Sequence, residues 1–155
     1  MYFEHKALYR SISGNVPDAY YTIEIGKAAL VQPGEDISII TWGSGVHWAL
    51  EYARLQPGLS IGILDLRTLQ PLDYPAIREA VAATGKVLIL HEDTLTGGFC
   101  AEISAWISEH CFPLLDAPVM RCASLDTPIP FAGPLEKNFL AKSRLDKYIR
   151  QLAAW

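Results

Sequence analysis

Three consecutive residues, His91-Glu92-Asp93, bring together an imidazole and two carboxylates, the groups used in acid–base catalysis and metal ligation. They follow an apolar run, at a strand end of the kind where doubly wound folds place ligands. Neighbours on an extended segment point opposite ways, so the three do not converge by themselves. Neither HExxH nor a second histidine at ligand spacing accompanies them. His91 reads as a hydrogen-bonded residue that organises its loop. Gly43-Ser44-Gly45 lies between a strand and a helix, where a dinucleotide loop would sit, but Trp48 fills the place of the third glycine. Asp65 is the acidic residue at the end of the following strand, and it runs into Leu66-Arg67, so the turn reads as a tight connection. Asp65 and Arg67 are expected to pair. In Thr94-Leu95-Thr96-Gly97-Gly98-Phe99, two readings stay open. The loop N–H groups could hold an anion, such as a partner's carboxylate. Alternatively Thr96 caps the helix, and Gly97 and Gly98 let it pack close to the sheet. There is no Gly-Lys-Ser/Thr phosphate loop and no GxSxG nucleophile elbow. The residues thus offer no convergent catalytic set.

The elements that must carry these residues alternate between strand and helix. Residues 28–32 form a short strand, and residues 37–42 a near-continuous β-branched strand suited to burial on both faces. A helix follows through Leu55, with Val46, Ala49, Leu50 and Ala53 on its apolar face. Residues 59–64 make the next strand and 65–72 a loop. Asp73 caps a helix with Pro75 in its first turn and Ile77, Ala80 and Val81 inward, and Gly85 closes it. Residues 86–90 are a strand, 91–98 a loop, and 99–110 a helix with Ile103, Trp106 and Ile107 inward. Residues 118–122 add another parallel strand. The last helix carries Leu145, Tyr148, Ile149 and Leu152 at i, i+3, i+4 and i+7. This order predicts a three-layer α/β fold, a mostly parallel sheet with helices on both faces. Residues 1–22 read as an arm or linker from something upstream, and 23–155 as the domain.

Composition narrows the function classes. Half of the 155 residues are hydrophobic and 19% are charged, which suits a folded globular domain. A net charge of −4 gives no electrostatic basis for nucleic-acid binding. No apolar run approaches the roughly 18–20 residues that cross a bilayer, so no membrane partner is expected. Cys100, Cys111 and Cys122 are an odd number without CxxC spacing, and residues 1–6 show no targeting signal. They read as reduced thiols in a cytoplasmic protein.

Several segments, in order, resemble one family. Residues 3–10, Phe-Glu-His-Lys-Ala-Leu-Tyr-Arg, are similar to the end of the pyrimidine-binding domain in beta subunits of 2-oxo acid dehydrogenases. Residues 39–51 resemble the strand–turn–helix that opens their C-terminal domain. Asp65-Leu66-Arg67-Thr68 with Pro71 and Asp73 is similar to the family's DLRT loop. His91-Glu92 followed by Leu95-Thr96-Gly97-Gly98-Phe99 and Ala101-Glu102-Ile103 resembles its HE…LTGGF.AEI signature. Leu115-Asp116-Ala117-Pro118 and Leu125-Asp126-Thr127-Pro128-Ile129-Pro130 complete the set. Asp93-Thr94 departs from the family, where many members have Ala-Pro, and residues 131–134 also differ.

The resemblance, nearest to branched-chain 2-oxoisovalerate dehydrogenase, implies a transketolase C-terminal-like fold with a five-stranded, mostly parallel sheet. It implies a parent enzyme that uses thiamine diphosphate and magnesium to decarboxylate a 2-oxo acid and transfer the acyl group to a lipoyl acyltransferase. The cofactor-binding GDG…N motif and the activating glutamate belong to other domains, so this chain should be inactive and hold no cofactor alone. Implied partners are the remaining alpha and beta domains, a second beta part on a two-fold axis, and the subunit-binding domain of the dihydrolipoyl acyltransferase. Asp116 and the carboxylate of Trp155 map to the family's contacts with that last partner. His91, Glu92, Thr96, Gly97 and Gly98 form a candidate interface loop. The alternatives are the beta domain of a pyruvate or acetoin dehydrogenase, a self-contained enzyme built on His91, Glu92 and Asp93, and a flavodoxin-like small-ligand-binding module.

Overall fold

The computed structural model describes residues 2–155. A short helix, α1 (Leu8–Ser11), precedes β1 (Ala29–Gln32), β2 (Ile37–Thr41), α2 (Ser44–Leu55), β3 (Ile61–Asp65) and α3 (Tyr74–Thr84). Then come β4 (Val87–Thr94), α4 (Cys100–His110), β5 (Met120–Ser124), α5 (Gly133–Phe139) and α6 (Leu145–Ala153). The strands form one sheet in the order β1-β3-β2-β4-β5, with β1 antiparallel to β3 and every other pair parallel.

Central β2 shows why the sheet needs helices on both sides. All five of its side chains are buried. Ile37 and Ile39 pack into a cluster with Ala49 and Ala53 of α2 and Leu145, Ile149 and Leu152 of α6. Ile40 faces the other way, into a cluster with Ile77, Ala80 and Val81 of α3 and Ile103 and Ile107 of α4. The result is the expected three-layer α/β fold. Ser38, buried between Ile37 and Ile39, stays satisfied because its hydroxyl donates to the Ala80 carbonyl at 2.7 Å. At the start of α3, Asp73 Oδ1 accepts the Ala76 N–H at 3.2 Å. At its end, Gly85 turns left-handed with φ 64° and donates its N–H to the Val81 carbonyl.

Three elements differ from the sequence-based expectation. β4 runs on through Thr94, so His91 to Thr94 are strand and not loop. β5 is displaced along the chain to Met120–Ser124. On α4, Ile103 and Ile107 are buried but Trp106 is only half-buried, because its indole stacks between Tyr74 and His110, with ring centroids 4.6 and 4.8 Å away.

α6 starts beside the carboxyl end of β5, where the Arg144 guanidinium donates to the Ala123 carbonyl at 2.8 Å. It packs across β5, β4 and β2. Before β1, residues 2–25 are exposed apart from the half-buried His5 and Leu8. Cys100, Cys111 and Cys122 are free and buried. Among the described residues, no helix is long and apolar enough to cross a membrane.

Candidate functional site

From β2 the chain moves outward to β3 and then crosses back to β4 on the far side of β2. Helices α2 and α4 therefore leave neighbouring strands on opposite faces, so the crevice position of a doubly wound sheet falls at the carboxyl ends of β2 and β4. Strand alternation divides the His-Glu-Asp run across it. Glu92 turns to the α2 side, where its carboxylate accepts the Ser44 hydroxyl at 3.0 Å, in the first turn of that helix. A carboxylate there complements the positive end of the α2 dipole and takes the place of an incoming anion. The same Glu92 oxygen lies 2.8 Å from His5 Nε2. Asp93 is exposed and accepts the Thr94 N–H at 2.8 Å.

His91 turns to the α4 side and is fully buried. Its ring tilts against Trp42 with centroids 5.4 Å apart. Neither ring nitrogen has a hydrogen-bond partner, which corrects the expectation of a hydrogen-bonded organiser. Burial holds the imidazole below the ordinary histidine range, a trend that nearby Asp93 opposes and Arg121 reinforces. The ring organises its surroundings by volume instead. A Cβ on Gly98 would collide with it and with the Thr94 carbonyl, so only glycine lets the chain pass from β4 into α4 here.

Thr96 does not cap α4, whose N-cap position is Phe99, with no side-chain cap. Its N–H and hydroxyl donate to the two carboxylate oxygens of Asp126, at 2.9 and 2.7 Å, tying the glycine loop to the segment after β5. Those bonds hold the Asp126 carboxyl below its usual range. Asp65 and Arg67 approach only to 4.0 Å, while the Arg67 N–H donates to Asp65 Oδ1 at 3.1 Å. Burial pushes the Asp65 carboxyl up.

A magnesium diphosphate needs free N–H donors, basic side chains and a shell of oxygen ligands. The crevice presents carboxylates at Glu92, Asp93 and Asp126 instead. Among the described residues, no group of three or more His, Cys, Asp or Glu is arranged to hold a metal ion. These residues do not fit such a cofactor. The sequence does not disclose the two partners of Glu92: Ser44 lies in what reads as a tight turn, and His5 lies 87 positions away with no spacing to betray it.

Asp116 stands at the opposite edge of the sheet, in the turn before β5. It is exposed, and its N–H donates to the Gly85 carbonyl at 2.8 Å. Its side chain packs where a Cβ on Gly85 would lie. Trp155 follows α6 and is 69% exposed. The structure thus places Asp116 at the end of the sheet opposite His91 and Glu92.

Residues 26–144 match the model of the transketolase C-terminal domain. The chain is 46% identical over 157 aligned positions to the beta subunit of 2-oxoisovalerate dehydrogenase from Bacillus subtilis, covering 99% of this chain and 48% of that protein. The mitochondrial beta subunit from Dictyostelium discoideum is 45% identical over 133 positions, 84% of this chain and 36% of the relative. The pyruvate dehydrogenase beta subunit of Bacillus subtilis is 40% identical over 134 positions, 85% of this chain and 41% of the relative. The chain thus spans about half the length, or less, of these curated relatives. Among solved structures, a split-gene transketolase, described as an inactive beta4 tetramer, superposes with a TM-score of 0.73 at 23% identity, over 90% of this chain and 45% of that one. That likeness establishes the fold alone. By the family model and by these relatives, the chain belongs to the transketolase C-terminal domain family.

Proposed function

We propose that this chain is the C-terminal assembly and docking domain of the beta part of a 2-oxo acid dehydrogenase, with residues 1–22 as its incoming arm and 23–155 as the domain. The observation that carries the reading is the match of nearly the whole chain, at 46% identity, to a 2-oxoisovalerate dehydrogenase beta subunit. In this account the complete enzyme decarboxylates a branched-chain 2-oxo acid with thiamine diphosphate and magnesium, and passes the acyl group to the lipoyl arm of its acyltransferase. The cofactor is held by the remaining alpha and beta domains, and this chain alone is inactive. Its part is to join two beta parts and to present Asp116 and Trp155 to the basic subunit-binding domain of the acyltransferase. Their exposure supports that role. In the interface loop, exposed Thr96 and Gly97 make the contact, Glu92 is half-exposed, and His91 and Gly98 pack beneath. A cytoplasmic setting suits the three free thiols. A pyruvate-using parent is the second reading, carried by the 40% identity to a pyruvate dehydrogenase beta subunit.

The test is the affinity of the beta assembly for the acyltransferase's subunit-binding domain. Asp116→Ala should weaken it about tenfold or more, and added salt should weaken the unmodified interaction. Equal affinities for the variant and the unmodified chain would contradict the assignment.

A further inference from the structure

The segment before β1 crosses the carboxyl-end rim of the sheet, and among the described residues it is hydrogen-bonded to the rest of the domain at two places. At one end, His5 Nε2 meets the Glu92 carboxylate at 2.8 Å, and His5 Nδ1 is sealed from solvent without a partner. At the other, Gly26 donates its N–H to the Thr68 hydroxyl at 3.0 Å, and Ala28 donates to Asp73 Oδ2 at 3.1 Å. Gly26 also lies against Pro71, with φ 79°. Between these anchors, α1 is one short turn, and no hydrogen bond in the described chain holds residues 13–25. Tyr20, Tyr21, Ile23 and Ile25 on that stretch are exposed. The rim anchor at Gly26 to Ala28 continues directly into β1 and is therefore fixed by the sheet. The anchor at His5 has one hydrogen bond to the domain, to a residue that also closes the start of α2.

We propose that residues 2–27 are a strap over the crevice, hinged at Gly26 and latched by His5 on Glu92. Latched, the strap sets the direction in which the chain enters the domain and covers the Glu92–Ser44 contact. Unlatched, the stretch up to Gly26 lifts from the rim and bares the first turn of α2, whose dipole Glu92 still complements. The latch is a hydrogen bond to a carboxylate that is only partly screened by solvent, with side-chain exposures of 36% for His5 and 40% for Glu92. Breaking it should shift the opening equilibrium by about tenfold. This inference stands independently of the docking role at the other edge of the sheet.

Limited trypsin cleavage at Lys6 and Arg10 of the intact chain reads the open population, since cleavage within a locally opened segment follows that equilibrium. His5→Ala should raise the cleavage rate at both sites about tenfold, with the thermal unfolding of the domain little changed. Glu92→Gln should raise it by a similar or smaller factor. The double variant should be no faster than the faster single one, because both remove the same contact. Cleavage of His5→Ala within twofold of the unmodified rate, or multiplicative effects of the two substitutions, would overturn the latch. If Glu92→Gln unfolds the domain by freeing Ser44, His5→Gln on the arm replaces it. That variant should also accelerate cleavage, and an unchanged rate would overturn the proposal equally.

Discussion

His91 is enclosed between Trp42 and Gly98 with both ring nitrogens unsatisfied, and this has a thermodynamic consequence. Burial keeps its native pKa below the ordinary value, so as the pH falls through about 6.5 the unfolded chain takes up a proton that the native state refuses. Stability should therefore decline on acidification from neutral pH toward pH 5, with His91 contributing a slope of up to about 1.4 kcal/mol per pH unit. His91→Leu should flatten that decline when denaturant unfolding is measured across the range. An unchanged slope would mean that the ring accepts a proton in the folded state. The identity of this residue was legible in the sequence, and so was its separation from Glu92 and Asp93 by strand alternation. Its hydrogen-bond state was not, because that depends on which groups α4 and the Gly97-Gly98 turn bring to the ring. The contact between His5 and Glu92 was hidden for the same reason, since a tertiary contact across 87 positions leaves no periodicity.

Among the elements, α3 shows how local signals fix structure. Asp73 caps it as its spacing predicts, and the same carboxylate also holds the Ala28 N–H at 3.1 Å, joining the helix to the strap's hinge. At the other end, Gly85 serves two purposes. It adopts a left-handed turn, and it leaves room for the Asp116 side chain. Gly85→Ala should cost about 1–3 kcal/mol by strain and displacement, measured by denaturant unfolding. Adding Asp116→Ala should recover part of that loss. Full additivity would show that the two sites are not in steric contact. β4 was only partly legible. Its apolar half, Val87 to Leu90, reads plainly as a strand, but His91 to Thr94 have loop composition. Tertiary pairing extends the strand there: Thr94 pairs with Ser124 after a register shift, and the Ser124 hydroxyl donates to the Glu92 carbonyl at 2.6 Å. β5 lies later than expected because Asp116 is held in a turn by Gly85 before the strand begins.

At the scale of the whole molecule, strand–helix alternation was sufficient to predict three layers, since each β-branched run needs cover on both faces. The position of the sites followed from topology that no single segment encodes. The crossover from β3 to β4 sets the crevice at one edge, and the turn that closes α3 holds Asp116 at the other. The crevice holds its own carboxylate at the start of α2, where a phosphate would otherwise bind. Calorimetry with magnesium and thiamine diphosphate should accordingly show no saturable binding to this chain, and tight binding would refute the assignment of the cofactor to other domains. On the proposed reading the domain docks a partner at the Asp116 edge. Titrating the chain with the acyltransferase's subunit-binding domain tests it most directly. The account predicts saturable binding that salt weakens and Asp116→Ala diminishes, and no binding at high micromolar concentration would contradict it.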